Sequence, residues 1–410
     1  MKTILVVGDG MADRPLRQLD WRTPLEAANT PNLDAVARSG VCGIMDIISP
    51  GRPPGSDVAN LALLGYDPIE CYRGRGALEA IGAGLNVEPG DVAFRGNFAY
   101  VDDDGSVIDR RAGRVDGSVF RDYLSNVQFD KYPDVEVIVR PTLAHRLAVI
   151  LRGENLSWRV SDIDPHETGV QVLRAATLDE AVGARRTADI ANELYQVLRE
   201  TMSRHPLNKK RIEAGQPPAN AVLLRGAGEA PAITPLTELY GIKGACVSVT
   251  PTVRGACASA GFDLHDAPGG TGGVDTNTIS KAETAERVLP DYDFVFVHVK
   301  GTDVASHDGN PDPKIAVIEK IDAMVGHIMD HVDTSETYIA VTADHTTSIS
   351  QQDHTGDPVP VAIHGPEVRT DTVTSYSERS CAEGGLGRIR GKDLMPVLLN
   401  FQGKVKLYGS

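Results

Sequence analysis

Six side chains and one serine in this 410-residue chain are of the types that hold divalent cations and move phosphoryl groups. Asp344 and His345 are adjacent, and His354 follows in Asp353-His354-Thr355-Gly356-Asp357. Asp303 precedes His307 by four residues, Asp9 lies between Gly8 and Gly10, and Ser56 falls in Pro53-Pro54-Gly55-Ser56-Asp57. Carboxylate oxygen mixed with imidazole nitrogen, without thiolate, suits Mn²⁺, Zn²⁺, Co²⁺ or Mg²⁺. Six such ligands are too many for one small ion, whereas two ions about 3.5–4 Å apart are the arrangement expected for phosphoryl transfer. Taken singly, each residue has a plainer explanation: a turn aspartate, a surface histidine or, for Ser56, a helix N-cap. Ser56 can equally be a metal-activated nucleophile, with a helix N-terminus behind it to receive phosphate oxygens. The two roles are compatible, and spacing alone leaves both open.

What joins these residues is the elements that carry them. Thr3-Ile4-Leu5-Val6-Val7, Phe294 to Val299 and Tyr338 to Thr342 are short β-branched or aromatic runs, each read as a buried parallel strand. Asp9, Asp303 with His307, and Asp344 with His345 follow their carboxyl ends, where open α/β sheets collect their ligands. Thr30, Pro31 and Gly40 bracket a helix burying Leu33, Val36 and Ala37, and a second helix is expected from about Asp57 to Leu64. Asp312 and Pro313 are read as opening a long helix with Ile318, Ile321, Val325 and Ile328 on its apolar face.

The metal-type residues occupy two blocks separated by a stretch of different texture, which predicts a discontinuous catalytic domain interrupted by an insert. Val135, Val137 and Val139 alternate, Leu147 to Leu151, Ala221 to Leu224 and Ala245 to Val249 look like strands, and Thr187 to Met202 has helical periodicity. These describe an insert of α/β or α+β type with its own core. Ala267-Pro268-Gly269-Gly270-Thr271-Gly272-Gly273 reads as its connector. The insert also carries the basic groups. Asp109-Arg110-Arg111-Ala112-Gly113-Arg114 sets three guanidinium groups in five positions, and Arg140, His145, Arg146 and Arg152 form a second stretch. Arg111 and Arg114 are read as an anion clamp, because the planar fork of arginine meets phosphate or carboxylate oxygens bidentately. Arg152 and the run Arg204 to Arg211 are read as solvated surface.

The balance of 41 Lys+Arg against 56 Asp+Glu gives a net charge of −15, which argues against nucleic-acid binding or an anionic membrane surface. The five cysteines are scattered with no Cys-x-x-Cys pair, which suits reduced, buried thiols. With no apolar stretch of transmembrane length and an N-terminal run too short for a signal peptide, a soluble cytoplasmic protein is expected, free to form a homo-oligomer or not.

The chain resembles the archaeal-type 2,3-bisphosphoglycerate-independent phosphoglycerate mutases of the alkaline phosphatase superfamily, and the resemblance covers nearly its whole length. It is carried by Val7-Gly8-Asp9-Gly10-Met11-Ala12-Asp13, Gly55-Ser56-Asp57-Val58-Ala59-Asn60, Gly84-Leu85-Asn86 and the Asp109 to Arg114 segment. His298-Val299-Lys300-Gly301-Thr302-Asp303, Asp308-Gly309-Asn310, Asp344-His345 and His354-Thr355-Gly356-Asp357-Pro358-Val359-Pro360 complete it. The resemblance implies an α/β fold with a mostly parallel sheet: an alkaline phosphatase-like catalytic domain (1–85 plus 265–410) interrupted by a smaller substrate-binding insert (86–264). It implies interconversion of 3-phosphoglycerate and 2-phosphoglycerate in glycolysis and gluconeogenesis, with no bisphosphoglycerate cofactor and with Ser56 as a transient phosphoserine. One ion would be held by Asp303, His307 and His354, the other by Asp9, Asp344, His345 and Ser56, with Mn²⁺ the favoured metal. Arg110, Arg111, Arg114, Arg140, His145 and Arg146 are the expected substrate contacts. The longer bacterial form has a His-Ser-His segment in its insert that is absent here, so Asp109, His145 or Lys300 is left to act as general acid/base. A metal-dependent phosphohydrolase, or another phosphomutase on the same catalytic domain, is the alternative reading.

Overall fold

The computed structural model describes residues 1–409 other than 126, 128 and 143. They form two compact units, Met1–Tyr72 with Ile233–Ser410, and Arg73–Ala232. The first unit is discontinuous in sequence and the second lies between its two segments, with boundaries other than the expected 85/86 and 264/265. The helix Arg75–Gly82 falls in the second unit because Ala77 and Ala80 join a small core with Ala93, Ala148 and Ile150. The run Ala245 to Val249, expected in the insert, supplies a strand of the first unit's sheet instead.

The first unit is built on an eight-stranded sheet in the order β15 (Gly387–Arg390), β2 (Gly40–Asp46), β14 (Val359–His364), β11 (Thr337–Ala343), β1 (Lys2–Gly8), β10 (Phe294–Val299), β8 (Gly244–Val247), β9 (Asp263–His265). Every pairing is parallel except the two made by β14. β1, β10 and β11 are continuous apolar runs because helices cover both faces of such a sheet. Their register places Gly8 opposite Val299 on one side and Ala343 on the other, so the three chains leave the sheet at one level. A short hairpin, β12 (Thr346–Ser348) with β13 (Asp353–Thr355), follows directly.

The helix Pro31–Arg38 buries Leu33, Val36 and Ala37 as expected. The long helix is Pro311–His331, with Ile318, Ile321, Val325 and Ile328 buried. Its cap is Asn310 rather than Asp312: the Asn310 side chain accepts from Asp312 N at 3.1 Å, and Pro311 takes the first helical position. Where Asn-Pro and Asp-Pro occur in tandem, the earlier pair begins the helix, as proline needs no N–H donor there.

The second unit has an all-antiparallel sheet, which makes it α+β. β4 (Val107–Asp109), β3 (Val92–Val101), β6 (Arg146–Arg152) and β5 (Glu136–Pro141) lie in that order, and β7 (Ala221–Gly228) also pairs with β3. Phe94, Phe98, Leu147, Val149 and Leu151 pack with Ile190, Leu194 and Leu198 of the helix Val182–Ser203. Arg95 and Asn97 alternate with Phe94 and Phe98 and so face away from that core.

Candidate active site

Asp9, Lys300 with Asp303, and Asp344 with His345 emerge from β1, β10 and β11 into one buried cluster. Ser56 meets them from the helix Ser56–Leu63, where it is the first helical residue; Gly55, not Ser56, is the N-cap. The serine side chain makes no cap bond and is turned to the cluster instead. Its Oγ lies 3.2 Å from His345 Nε2 and accepts from Lys300 Nζ at 3.4 Å. Asn60, one turn along the same helix, donates to Asp344 Oδ2 at 2.9 Å and to Ser56 O at 2.7 Å, which locks helix and strand end together.

Two groups of ligand-type atoms result, each lying within 4.8 Å of one another: Asp303, His345 and His354, and Asp9, His298 and Asp344. His345 belongs to both neighbourhoods, with Nε2 3.3 Å from Asp9 Oδ1 and 3.5 Å from Asp344 Oδ1. His307 approaches the first group, its Nε2 3.4 Å from Asp303 Oδ1. The imidazoles are oriented through their far nitrogens. His307 Nδ1–H donates to Gln352 O at 2.7 Å and His354 Nδ1–H to Pro54 O at 2.8 Å, so each presents an Nε2 lone pair to the site. Gln352 holds a left-handed backbone (φ 55°), strain of the kind a supported site tolerates. Thr347 Oγ1 links Asp303 Oδ1 at 3.0 Å to His345 Nδ1 at 2.9 Å.

His298 was not singled out as a ligand from the sequence. It sits within the apolar run of β10, fully buried, with Nε2 3.0 Å from Asp9 Oδ2. The usable signal was its type: an imidazole within Phe294-Val295-Phe296-Val297-His298-Val299 gains nothing from apolar packing.

The charges are interleaved. Lys300 Nζ bridges Asp9 Oδ1 at 2.9 Å and Asp303 Oδ2 at 2.6 Å. Burial works to raise Asp9, but the Lys300 charge and the His298 and His345 imidazoles beside it hold it well below the usual carboxylate range. Asp303 behaves likewise: the His307 and His354 imidazoles beside it, with the Lys300 charge, overcome its burial. Asp344 goes the other way, pushed well up by burial and by the Asp9 charge. Burial opposes the charge on Lys300, yet Asp9, Asp303 and Asp344 raise it above its ordinary value. Burial brings His345 down to about 4. Three buried carboxyls against one ammonium leave the site short of positive charge. Asp9 Oδ2 and both His298 ring nitrogens are buried without a hydrogen-bond partner among the described residues. Orphaned acceptors beside unbalanced carboxyls fit divalent cations. Beside this cluster Lys314, fully buried, donates to Asp13 Oδ2 at 2.8 Å, Ala12 O at 3.0 Å and Thr347 O at 2.9 Å, tying the long helix to the loops that carry the ligands.

The second unit holds a cavity of ≈ 290 Å³ lined by Arg95, Asn97, Arg110, Arg111, Arg114, Ala144, His145, Arg146 and Arg225. Arg95 and Arg225 were missed in the sequence. Strand register brings them in, Arg95 opposite Arg225 across β3 and β7, and Asn97 opposite Arg146 across β3 and β6. Asp164, fully buried, accepts from Arg110 Nε at 3.0 Å and Nη2 at 2.7 Å and lies 3.4 Å from Arg225 Nη1. Burial takes Arg95 down to about 9, opposed by the carboxylate of Glu79. His145 is lowered to about 4 by burial and by the charges of Arg146, Arg111, Arg95 and Arg114. Ala112, Arg114 and Ala144 all have positive φ, which turns the arginine-bearing loops into unusual conformations around the cavity.

Other side chains of this region stand outside the cavity lining. Both Asp109 oxygens accept backbone N–H bonds inside their own loop, from Arg111 at 2.8 Å and Gly113 at 2.6 Å, so this carboxylate shapes the turn and does not line the cavity. Arg140 is exposed on β5 and does not line it either. Arg211, read as solvated, donates to Pro217 O at 2.9 Å and to Ala112 O at 2.8 Å, bracing the arginine loop. Arg152 lies apart from the cavity, paired with Asp91 at 2.8 Å.

Residues 1–401 match the Metalloenzyme superfamily model. A 2,3-bisphosphoglycerate-independent phosphoglycerate mutase of Ignicoccus hospitalis is 48% identical, the alignment covering 100% of this chain and 99% of that one. The phosphoglycerate mutase 1 of the same kind from Methanothermobacter thermautotrophicus is 45% identical, with both chains covered in full. Among solved structures, a Pyrococcus horikoshii protein superposes with TM-score 0.87 at 38% identity over 100% of this chain and 99% of its own. The cofactor-independent phosphoglycerate mutase of Thermoplasma acidophilum gives TM-score 0.69 at 37% identity over 98% and 100%.

Proposed function

The chain belongs to the 2,3-bisphosphoglycerate-independent phosphoglycerate mutases of the Metalloenzyme superfamily, and we propose that it interconverts 3-phosphoglycerate and 2-phosphoglycerate through Ser56. The observation that carries the role of Ser56 is its placement: a hydroxyl freed from capping, at a helix N-terminus, 3.2 Å from His345 and 3.4 Å from Lys300.

In this reading Ser56 Oγ attacks phosphorus, and the bond from phosphorus to the glycerate oxygen breaks. The leaving oxygen takes a proton, glycerate turns, and its other hydroxyl attacks the phosphoserine while giving up a proton. Serine is regenerated and no phosphate is lost. The Lys300 ammonium stabilises negative charge on Ser56 Oγ, and the free N–H groups of the helix's first turn receive phosphate oxygens. Asp9, Asp303, Asp344, His298, His307, His345, His354 and Ser56 would hold two divalent ions; this oxygen–nitrogen set suits Mn²⁺, Zn²⁺, Co²⁺ or Mg²⁺, of which the family resemblance favours Mn²⁺. When bound, such ions supply Lewis-acid stabilisation of phosphoryl charge and lower the pKa of a coordinated hydroxyl.

The arginine cavity is assigned to the substrate's anionic groups, through Arg95, Arg110, Arg111, Arg114, Arg146 and Arg225. His145 presents a neutral imidazole there at pH 7, since its pKa is brought down to about 4, and is the candidate proton acceptor in this unit. No described helix is long and apolar enough to cross a membrane. The five cysteines are buried, which fits a reducing cytoplasm.

Phosphorus NMR on 3-phosphoglycerate, with protein stripped by chelator and reloaded with Mn²⁺ and no bisphosphoglycerate present, tests the proposal. The 2-phosphoglycerate signal is expected to grow to a stable mixture, and Ser56→Ala to abolish it. Accumulation of inorganic phosphate as the main product would make the chain a phosphohydrolase.

A further inference from the structure

A third cluster of ligand-type side chains lies on the outer helices of the first unit, apart from the site above. The helices Thr278–Val288 and Pro311–His331 pack against each other, and Glu286 of one faces His327 and His331 of the other. Their ligand atoms all lie within 4.8 Å of one another. His327 and His331 are separated by one helical turn, and their rings are stacked with centroids 4.0 Å apart. His327 Nε2 is buried, makes no hydrogen bond among the described residues and stands 3.5 Å from Glu286 Oε2. His331 Nδ1–H donates to His327 O at 2.8 Å, which leaves its Nε2 with a lone pair to offer.

We propose that Glu286, His327 and His331 form a binding site for a borderline divalent cation of the Zn²⁺ class, which clips the two helices together. Two histidines at i and i+4 present both imidazoles on one helix face, and a carboxylate from the neighbouring helix supplies a third ligand. Two nitrogens and one oxygen favour Zn²⁺ over Mg²⁺ or Ca²⁺, which take oxygen. The cation sits at the C-terminal end of Pro311–His331, the negative end of the helix dipole. The catalytic cluster lies toward the other end of that helix, where Lys314 holds the loops that carry its ligands; His327 and His331 stand further along the axis, about 20–25 Å away at 1.5 Å per residue. The ion is structural: it joins two helices and touches no reacting group.

The test is zinc binding by the full-length protein, measured by equilibrium dialysis with elemental analysis, for wild type, His331→Ala and Glu286→Gln. His331 is exposed and Glu286→Gln is isosteric, so both variants keep the fold. Wild type should bind one more zinc per chain than His331→Ala, and Glu286→Gln should bind that ion at least tenfold more weakly. Zinc should raise the unfolding temperature of wild type further than that of His331→Ala. Activity with Mn²⁺ should be the same in all three. Equal zinc stoichiometry and affinity in the three proteins would overturn the proposal.

Discussion

In the first unit, Asp9, Asp303 and Asp344 alternate with His298, His345, His354 and Lys300, so that carboxylates and cationic or neutral nitrogens meet at hydrogen-bond distances. In the second, Arg95, Arg110, Arg111, Arg114, Arg146 and Arg225 crowd one cavity, with Asp164 and Glu79 as counter-charges. The first set stands at the ends of adjacent strands in a buried sheet. The second rests partly on strands and partly on loops with left-handed residues. The difference follows from what each receives. A cation site can be assembled in advance from donors that hydrogen-bond one another, whereas an anion site must hold like charges together until the anion arrives. That repulsion contributes at His145, whose proton affinity is depressed by burial and then by four neighbouring arginines.

The comparison can be broken most severely on the cation side. Replacing Asp303 by Asn removes a carboxylate that His307, His354, Thr347 and Lys300 all share. Activity should fall on the order of 10³-fold or more, with loss of one metal ion, as seen by paired assays of turnover and metal content. On the anion side, Asp164→Asn leaves Arg110 and Arg225 without their shared buried carboxylate. KM for phosphoglycerate should rise by roughly tenfold or more, with kcat changing less, because the loss is in positioning the anion's partners. Equal losses in both constants would instead place Asp164 in the chemical step.

A pH titration sharpens the contrast. His145 has a folded-state pKa of about 4, below the ordinary 6.5, so the unfolded chain binds more protons between these values. Its contribution to stability is full above pH 6.5 and is lost as pH falls toward 4. NMR of the His145 ring should show a midpoint near 4 in the free protein. Saturating inorganic phosphate should move it upward by offsetting the arginine charges, and an unmoved midpoint would detach His145 from the anion site. The smallest effect is expected from Arg140→Ala. This exposed arginine lies outside the cavity, so kcat/KM should stay within about twofold of wild type.

Much of the first unit could be read from the chain alone, because its site obeys local rules. An apolar run followed by Asp, or by Asp-His, specifies both a parallel strand and the group at its end, and three such runs suffice to predict a meeting point. Asp9, Asp303, Asp344 and His345 follow those three runs, and His354 joins them from the hairpin that comes next. His298 escaped them because it lies inside a strand, where only its neighbours across β1 and β10 decide whether it meets Asp9.

The amino-acid sequence by itself determined the strand ends, the ligand types, the helix bearing Ser56 and the presence of an arginine-rich insert. Tertiary structure alone decided which arginines work together. Arg95 and Arg225 are 130 residues apart and become neighbours through the pairing of β3 with β7, while Arg140, close in sequence to Arg146, lies outside. It also decided that Asp109 closes a turn, that Arg211 braces the loop, and that the strand from Gly244 belongs to the first unit. The physical reason is one of range. Strand and turn preferences act over a few residues, whereas the lining of a cavity depends on long-range register, which is set by the packing of the whole sheet.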